Sequence, residues 1–200
     1  MSRFTTLAFD ADDTLWHTES HFQEVQAELS AILEKYASHD EVQAHLHEIE
    51  VRNIKIFGYG VKGFTLSMVE AAIEISNSRI TAADIHRIVM MGKAILEAPM
   101  VLMDGIVAVL DDLRGDHRLV MVTKGDVMDQ RNKIEQSGLE PLFESTHVVQ
   151  EKDQATYARV FADLGVAAAD VVMIGNSLKS ECLPVLELGG TAVHIPYHVT

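Results

Sequence analysis

Thr6-Leu7-Ala8-Phe9-Asp10-Ala11-Asp12-Asp13-Thr14-Leu15 is a short apolar run that ends on three carboxylates. The apolar part reads as a buried strand near the start of the chain. Three carboxylates just past a strand are costly to crowd together unless something cationic sits among them. A divalent metal with oxygen ligands is the usual solution, and Mg²⁺ favours one or two carboxylates plus substrate phosphate. Asp10 and Asp12 stand two apart, so one could attack a substrate while the other gives or takes a proton. A solvated turn leading into a helix, with Asp13 or Thr14 as N-cap, is the plain alternative.

Working outward, further apolar runs recur. Arg118–Thr123, a weaker stretch near Thr146–Val149, Asp170–Ile174 and Thr191–Ile195 read as strands. Helical patterns separate them over Ile106–Arg114, Val127–Ser137, Gln154–Leu164 and Leu178–Leu188. Apolar strands alternating with helices indicate a parallel sheet covered on both faces. Ligands of such sheets bind at the carboxyl ends of the strands. The polar groups that follow the strands therefore converge on one edge: Asp10 and Asp12, then Thr123-Lys124-Gly125-Asp126, Glu151-Lys152-Asp153, and Asn176-Ser177 with Glu181.

Residues 17–98 differ in character. They show no strand pattern and four helical ones, over Ser20–Ala37, Asp40–Lys55, Gly63–Asn77 and Thr81–Leu96. Thr81-Ala82-Ala83-Asp84 resembles a capping box with Asp in place of Glu. Pro99 stops the last helix. The expected division is a core of residues 1–16 and 99–200 with an all-helical cap over 17–98.

Composition excludes several classes. The chain has 200 residues, 48% apolar and 23% charged, which is ordinary globular material. Thirty acidic against sixteen basic residues give a net charge of −14, a surface that repels nucleic acid and anionic membrane. The single Cys182 cannot form an internal disulfide and fits a reducing compartment. No apolar leader and no run of eighteen apolar residues is present, so a cytoplasmic protein is expected. His45 and His47 lie two apart and cannot share a helix face as zinc ligands.

In order and position, the four strand-end motifs resemble the haloacid dehalogenase superfamily. Asp10-Ala11-Asp12-Asp13-Thr14-Leu15 matches its first motif, Thr123 the second, Lys152 the third, and Gly175-Asn176-Ser177 with Glu181 approximates the fourth. The resemblance implies a Rossmann-like three-layer α/β/α core with a parallel sheet and an inserted helical cap. It implies a phosphatase acting on a small phosphomonoester, of nucleotide or sugar phosphate type, through an aspartyl-phosphate on Asp10. Asp12 would be the general acid and base, with Thr123 and nearby amides on the phosphoryl oxygens. Lys152 would offset charge. Mg²⁺ would bridge Asp10, the Asp12 carbonyl and the side chain at position 176.

Asp12 separates this chain from the metal-independent dehalogenase branch, because halide leaves without a proton. The departure from the motif is Asn176 where the family usually has Asp; Glu181 could compensate. A 2-haloacid dehalogenase and a catalytically silent binding protein are the alternatives. Substrate contacts are expected from Ala11, Thr123, Lys124 and Gly125, from Lys62 in a glycine-rich cap loop that also holds Arg52, Gly58, Gly60 and Gly63, and from Trp16 at the entrance. Trp16 is read equally as a packing residue of the hinge. The expected partner is a small phosphorylated metabolite, with neither nucleic acid polymer nor membrane; a homodimer is left open.

Overall fold

The computed structural model describes residues 4–198 and resolves two compact units, Met1–Glu19 with Met100–Thr200, and Ser20–Pro99. In the first unit, five strands form one parallel sheet. They are β1 (Thr6–Phe9), β2 (Arg118–Lys124), β3 (Ser145–Val149), β4 (Val171–Gly175) and β5 (Thr191–His194), in the order β3-β2-β1-β4-β5. Every residue of β1 and β4 is buried, as continuous apolar runs in a sheet covered on both faces require.

Side-chain alternation divides the core in two. On one face Leu7, Phe9, Leu119, Met121, Val172 and Ile174 pack together with Leu110 and Ile134. Those last two come from α5 (Ile106–Leu113) and α6 (Val127–Ser137). On the other face Ala8, Val120, Val122 and Met173 meet Tyr157 and Phe161 of α7 (Gln154–Leu164) and Val185 of α8 (Leu183–Glu187). The strand order reverses at β1, with β2 on one side and β4 on the other, so Asp10 ends the strand at the topological switch point.

One expected helix is two. Leu178–Cys182 is a π-helical turn, and only Leu183–Glu187 is α-helical. Pro184 explains the break. It has no N–H for the carbonyl four residues back, Ser180, and its ring would crowd that group. The Ser180 carbonyl instead accepts from Tyr157 Oη at 3.1 Å.

The second unit is all-helical: α1 (Glu19–Leu33), α2 (His39–Phe57), α3 (Val61–Ile75) and α4 (Ala82–Glu97). Leu29, Leu33, Leu46, Ile49, Met68 and Ile88 form its core. Ser38 and Glu41 make a reciprocal capping box at α2, and Thr81 accepts from the Asp84 amide at α4. α1 stops at Leu33, short of the expected Ala37, where the Tyr36 and Ala37 amides both turn onto Leu33 O ahead of the extended Ser38. Gly58 and Gly60 take positive φ of 74° and 118°, while Gly63 lies inside α3. Among the described residues no helix is long and apolar enough to cross a membrane.

Candidate active site

Where the chain leaves the sheet after β1 it turns tightly. Asp13 adopts φ 61°, and its carboxylate accepts from the Thr18 and Glu19 amides at 2.8 and 3.0 Å. Those two amides lie at the start of α1, and Asp13 itself is buried. Burial pushes the Asp13 carboxyl up, against those amides. Outgoing and returning segments then pair: His17 N donates to Val101 O at 2.9 Å and Met103 N to Leu15 O at 2.9 Å.

Asp10 is 5% exposed, and its amide donates to Ile174 O at 2.9 Å, which locks the end of β1 against the end of β4. One carboxylate oxygen contacts Lys152 Nζ, and the other accepts from Thr14 Oγ1 at 3.1 Å. Lys152 Nζ also reaches Glu181 Oε1 at 3.0 Å, and Glu181 Oε2 accepts from the Ser177 amide at 2.6 Å. Burial alone would lower Lys152, but Asp10 and Glu181 outweigh it and hold the ammonium above its usual range. Burial raises the Glu181 carboxyl despite Lys152. Lys152 and Glu181 therefore flank the nucleophile candidate as one buried charge cluster.

Asp12 faces the opposite way. Its Oδ1 accepts from Trp16 Nε1 at 2.8 Å, Thr18 Oγ1 at 2.9 Å and Lys133 Nζ at 3.2 Å; its Oδ2 accepts from Gln130 Nε2 at 2.7 Å. Burial raises the Asp12 carboxyl, but Lys133 and these donors together bring it below the usual carboxylate range. Gln130 and Lys133, both on α6, were not legible as site residues.

On β2, Thr123 is 1% exposed, and its Oγ1 has no hydrogen-bond partner. Phe9, the last residue of β1, pairs with Met121, two residues before Thr123. A buried hydroxyl without a partner is uncommon and costly in a folded core. Ala11 is fully buried and offers only its backbone. Lys124 Nζ pairs with Glu151 at 3.0 Å. Trp16 is 0% exposed and its indole N–H is held on Asp12. The Gly125 amide donates to Val149 O at 3.3 Å. Lys62 is an exposed residue of α3 in the helical unit, and Arg52 pairs with Glu70 and Glu74.

For a metal, the candidates at this edge are oxygens: the Asp10 carboxylate, the Asp12 carbonyl and the amide oxygen of Asn176, next after Gly175 of β4. Such hard donors fit Mg²⁺, which keeps much of its shell for water and substrate. Among the described residues no group of three or more His, Cys, Asp or Glu is gathered to hold a metal by side chains alone. Glu181, expected as a compensating ligand, is placed as counter-ion to Lys152. A cavity of about 740 Å³ lies at the opposite edge of the sheet, lined by Phe4, His117, Arg118, Phe143 and Glu144. Its Arg118 is already bound to Glu144, so this cavity lacks the convergent chemistry.

A parallel sheet with a carboxylate nucleophile candidate, a buried lysine and a hydroxyl at its carboxyl edge defines a hydrolase core. The family model of haloacid dehalogenase-like hydrolases matches residues 4–181, and the chain belongs to that family. It is similar to N-acylneuraminate-9-phosphatase of Mus musculus, 26% identical over 195 residues that cover 90% of this chain and 77% of the mouse protein. A haloacid dehalogenase-like family hydrolase from Xanthomonas campestris superposes with a TM-score of 0.93 at 46% identity, covering 98% of this chain and 82% of that one. The Bacillus subtilis HAD-type protein YfnB shares the fold, with a TM-score of 0.66 at 21% identity over 97% of this chain and 87% of its own.

Proposed function

We propose that the chain is a Mg²⁺-dependent phosphatase that hydrolyses a small phosphomonoester through a phosphorylated Asp10. The observation that carries this reading is the pair Asp10 and Asp12. One carboxylate is set beside a buried ammonium, and the other, two residues on, is anchored by four side chains. An Asp10 oxygen attacks phosphorus, the bond to the ester oxygen breaks, and Asp12, which must first bind a proton against the pull of Lys133 and its other donors, gives that oxygen its proton. Asp12 then takes a proton from water as the water oxygen attacks phosphorus and the Asp10–phosphorus bond breaks, releasing inorganic phosphate. Thr123 Oγ1 donates to a phosphoryl oxygen, and Lys152 offsets the charge between phosphate and nucleophile.

Bound Mg²⁺ would supply charge neutralisation of the phosphoryl oxygens. Asp10, the Asp12 carbonyl and Asn176 are the residues that would hold it. The amide of Asn176 brings no charge, so weaker metal affinity is expected than with a carboxylate there. A dehalogenase has no use for a proton donor at position 12, and Asp12 speaks against that reading. The curated phosphatase relatives support the sugar phosphate side of the substrate range. A single buried Cys182 suits a reducing compartment, and we assign the chain to the cytoplasm.

The test is phosphate release from p-nitrophenyl phosphate with Mg²⁺, with EDTA, and with Asp10→Asn. The expected result is activity abolished in both controls. Phosphate release that survives Asp10→Asn would overturn the mechanism, and halide release from 2-chloropropionate without metal would favour a dehalogenase.

A further inference from the structure

Helix α6 buries an unusual face. Val127 and Met128 are exposed, whereas Asp129 and Gln130 are buried, and the Lys133 side chain is only 17% exposed. A helix packed on a sheet normally turns its apolar stripe inward, and burying an amide, a carboxylate and an ammonium is costly unless each is paired. Here the pairing leads to one group. Gln130 Nε2 donates to Asp12 Oδ2 at 2.7 Å and to Lys124 O at 3.0 Å. Both facing atoms are acceptors, so the orientation of the amide is forced. The same orientation leaves Gln130 Oε1 buried without a partner, an expense that packing alone does not explain. Lys133 Nζ spans Asp12 Oδ1 at 3.2 Å and Asp129 Oδ2 at 3.3 Å. Gly125 makes room for this arrangement, since a Cβ there would lie 2.7 Å from Gln130 Nε2.

The donors are unevenly divided between the two oxygens of Asp12. Oδ1 accepts from Trp16, Thr18 and Lys133, which fills it. Oδ2 has its shortest bond to Gln130, and Lys133 lies at the longer 3.4 Å. A group that first gives a proton to a leaving oxygen and then takes one from water must present one lone pair within hydrogen-bond reach of each. Oδ2 is the oxygen with that capacity.

We propose that Gln130 and Lys133 are positioning residues for Asp12, anchoring its carboxylate so that Oδ2 carries the proton in both half-reactions. This rests on the phosphatase reading above. In the first half the proton passes from Oδ2 to the ester oxygen as the bond from that oxygen to phosphorus breaks. In the second it returns to Oδ2 from the attacking water.

The test compares kcat/KM for p-nitrophenyl phosphate and unsubstituted phenyl phosphate, with Mg²⁺, in the parent, Gln130→Leu, Lys133→Met and Lys133→Arg. Departure of p-nitrophenolate needs little protonation, whereas phenolate depends on it. Gln130→Leu and Lys133→Met are expected to lose about 10- to 100-fold on phenyl phosphate and less than about threefold on p-nitrophenyl phosphate. Lys133→Arg is expected to recover most of the phenyl phosphate rate. Equal losses on the two esters, or no loss on either, would overturn the positioning role. Gln130→Leu changes no charge and decides the question alone should Lys133→Met not fold. A parent inactive on both esters would overturn the phosphatase reading and this proposal with it, an outcome distinct from an active parent whose variants lose both esters in parallel.

Discussion

Lys152 Nζ stands 3.0 Å from Glu181 Oε1, with the two side chains only 2% and 4% exposed. The same ammonium touches Asp10, so one buried cation serves two buried carboxylates. Replacing that cation leaves both carboxylates uncompensated away from water. Lys152→Met is therefore expected to destabilise the fold by about 3–5 kcal/mol in urea unfolding. Glu181→Gln keeps an acceptor for Lys152 and leaves it paired with Asp10, but sets its NH₂ against the Ser177 amide, so its cost is expected at about 1–3 kcal/mol. A Lys152→Met variant as stable as Glu181→Gln would contradict this view of the cluster.

Gly175 sets how closely β4 and the π turn approach the nucleophile. A Cβ there would fall 2.4 Å from Glu181 Cγ, 2.9 Å from Glu181 Cβ and 3.1 Å from Asp10 Cβ. Gly175→Ala must push Glu181 off Lys152 or displace Asp10. The expected outcome is a loss of about 1–3 kcal/mol in stability, as for overpacking elsewhere, together with a fall in turnover. Circular dichroism melts and phosphate release on the same preparation would show both; a stable and fully active variant would mean the turn shifts freely.

Much of this edge was legible because apolar runs name the strands and the strand ends name the site. Asp10, Asp12, Thr123 and Lys152 all follow that rule, and each stands at the carboxyl edge of the sheet. The π turn was not legible as such, since Leu178–Leu188 keeps helical spacing and only the partner of Ser180 O, the Tyr157 hydroxyl, shows where the backbone bond is lost. Gln130 and Lys133 were hidden for a different reason. Polar residues three apart on a helix read as a solvated face, and nothing in Val127-Met128-Asp129-Gln130 signals that its apolar pair is the exposed one. The available clue was that Asp129, Gln130 and Lys133 share one face directly after a strand-end motif. Trp16 had two readings, and in the structure it is buried with its indole N–H on Asp12.

His147 on β3 offers a pH test remote from Asp10. Burial lowers its pKa from the ordinary 6.5, Asp163 raises it and Arg131 lowers it, with a net fall. A base whose folded pKa lies below the unfolded value binds fewer protons when folded. Stability is then constant above pH 6.5 and declines as pH falls from there through the lower folded value. His147→Gln is expected to flatten that part of the curve, measured as the difference in Tm between about pH 7.5 and pH 5.5. A slope unchanged by the substitution would place the titration on another group.

Thr123 separates binding from folding most sharply. Its Oγ1 is buried with no partner, so the hydroxyl contributes nothing to the core that a methyl would not. Thr123→Val keeps the volume and removes an unsatisfied polar atom, a change that is neutral or stabilising by up to about 1 kcal/mol. If the hydroxyl binds a phosphoryl oxygen, the same variant loses a donor aimed at developing charge. Phosphate release is then expected to fall about 10-fold or more, and inhibition by inorganic phosphate to weaken. Thr123→Ser keeps the hydroxyl but deletes a buried methyl, so it should retain turnover while melting lower. The decisive pattern is opposite ordering of the two variants in stability and in activity. Parallel ordering would leave Thr123 a packing residue of β2.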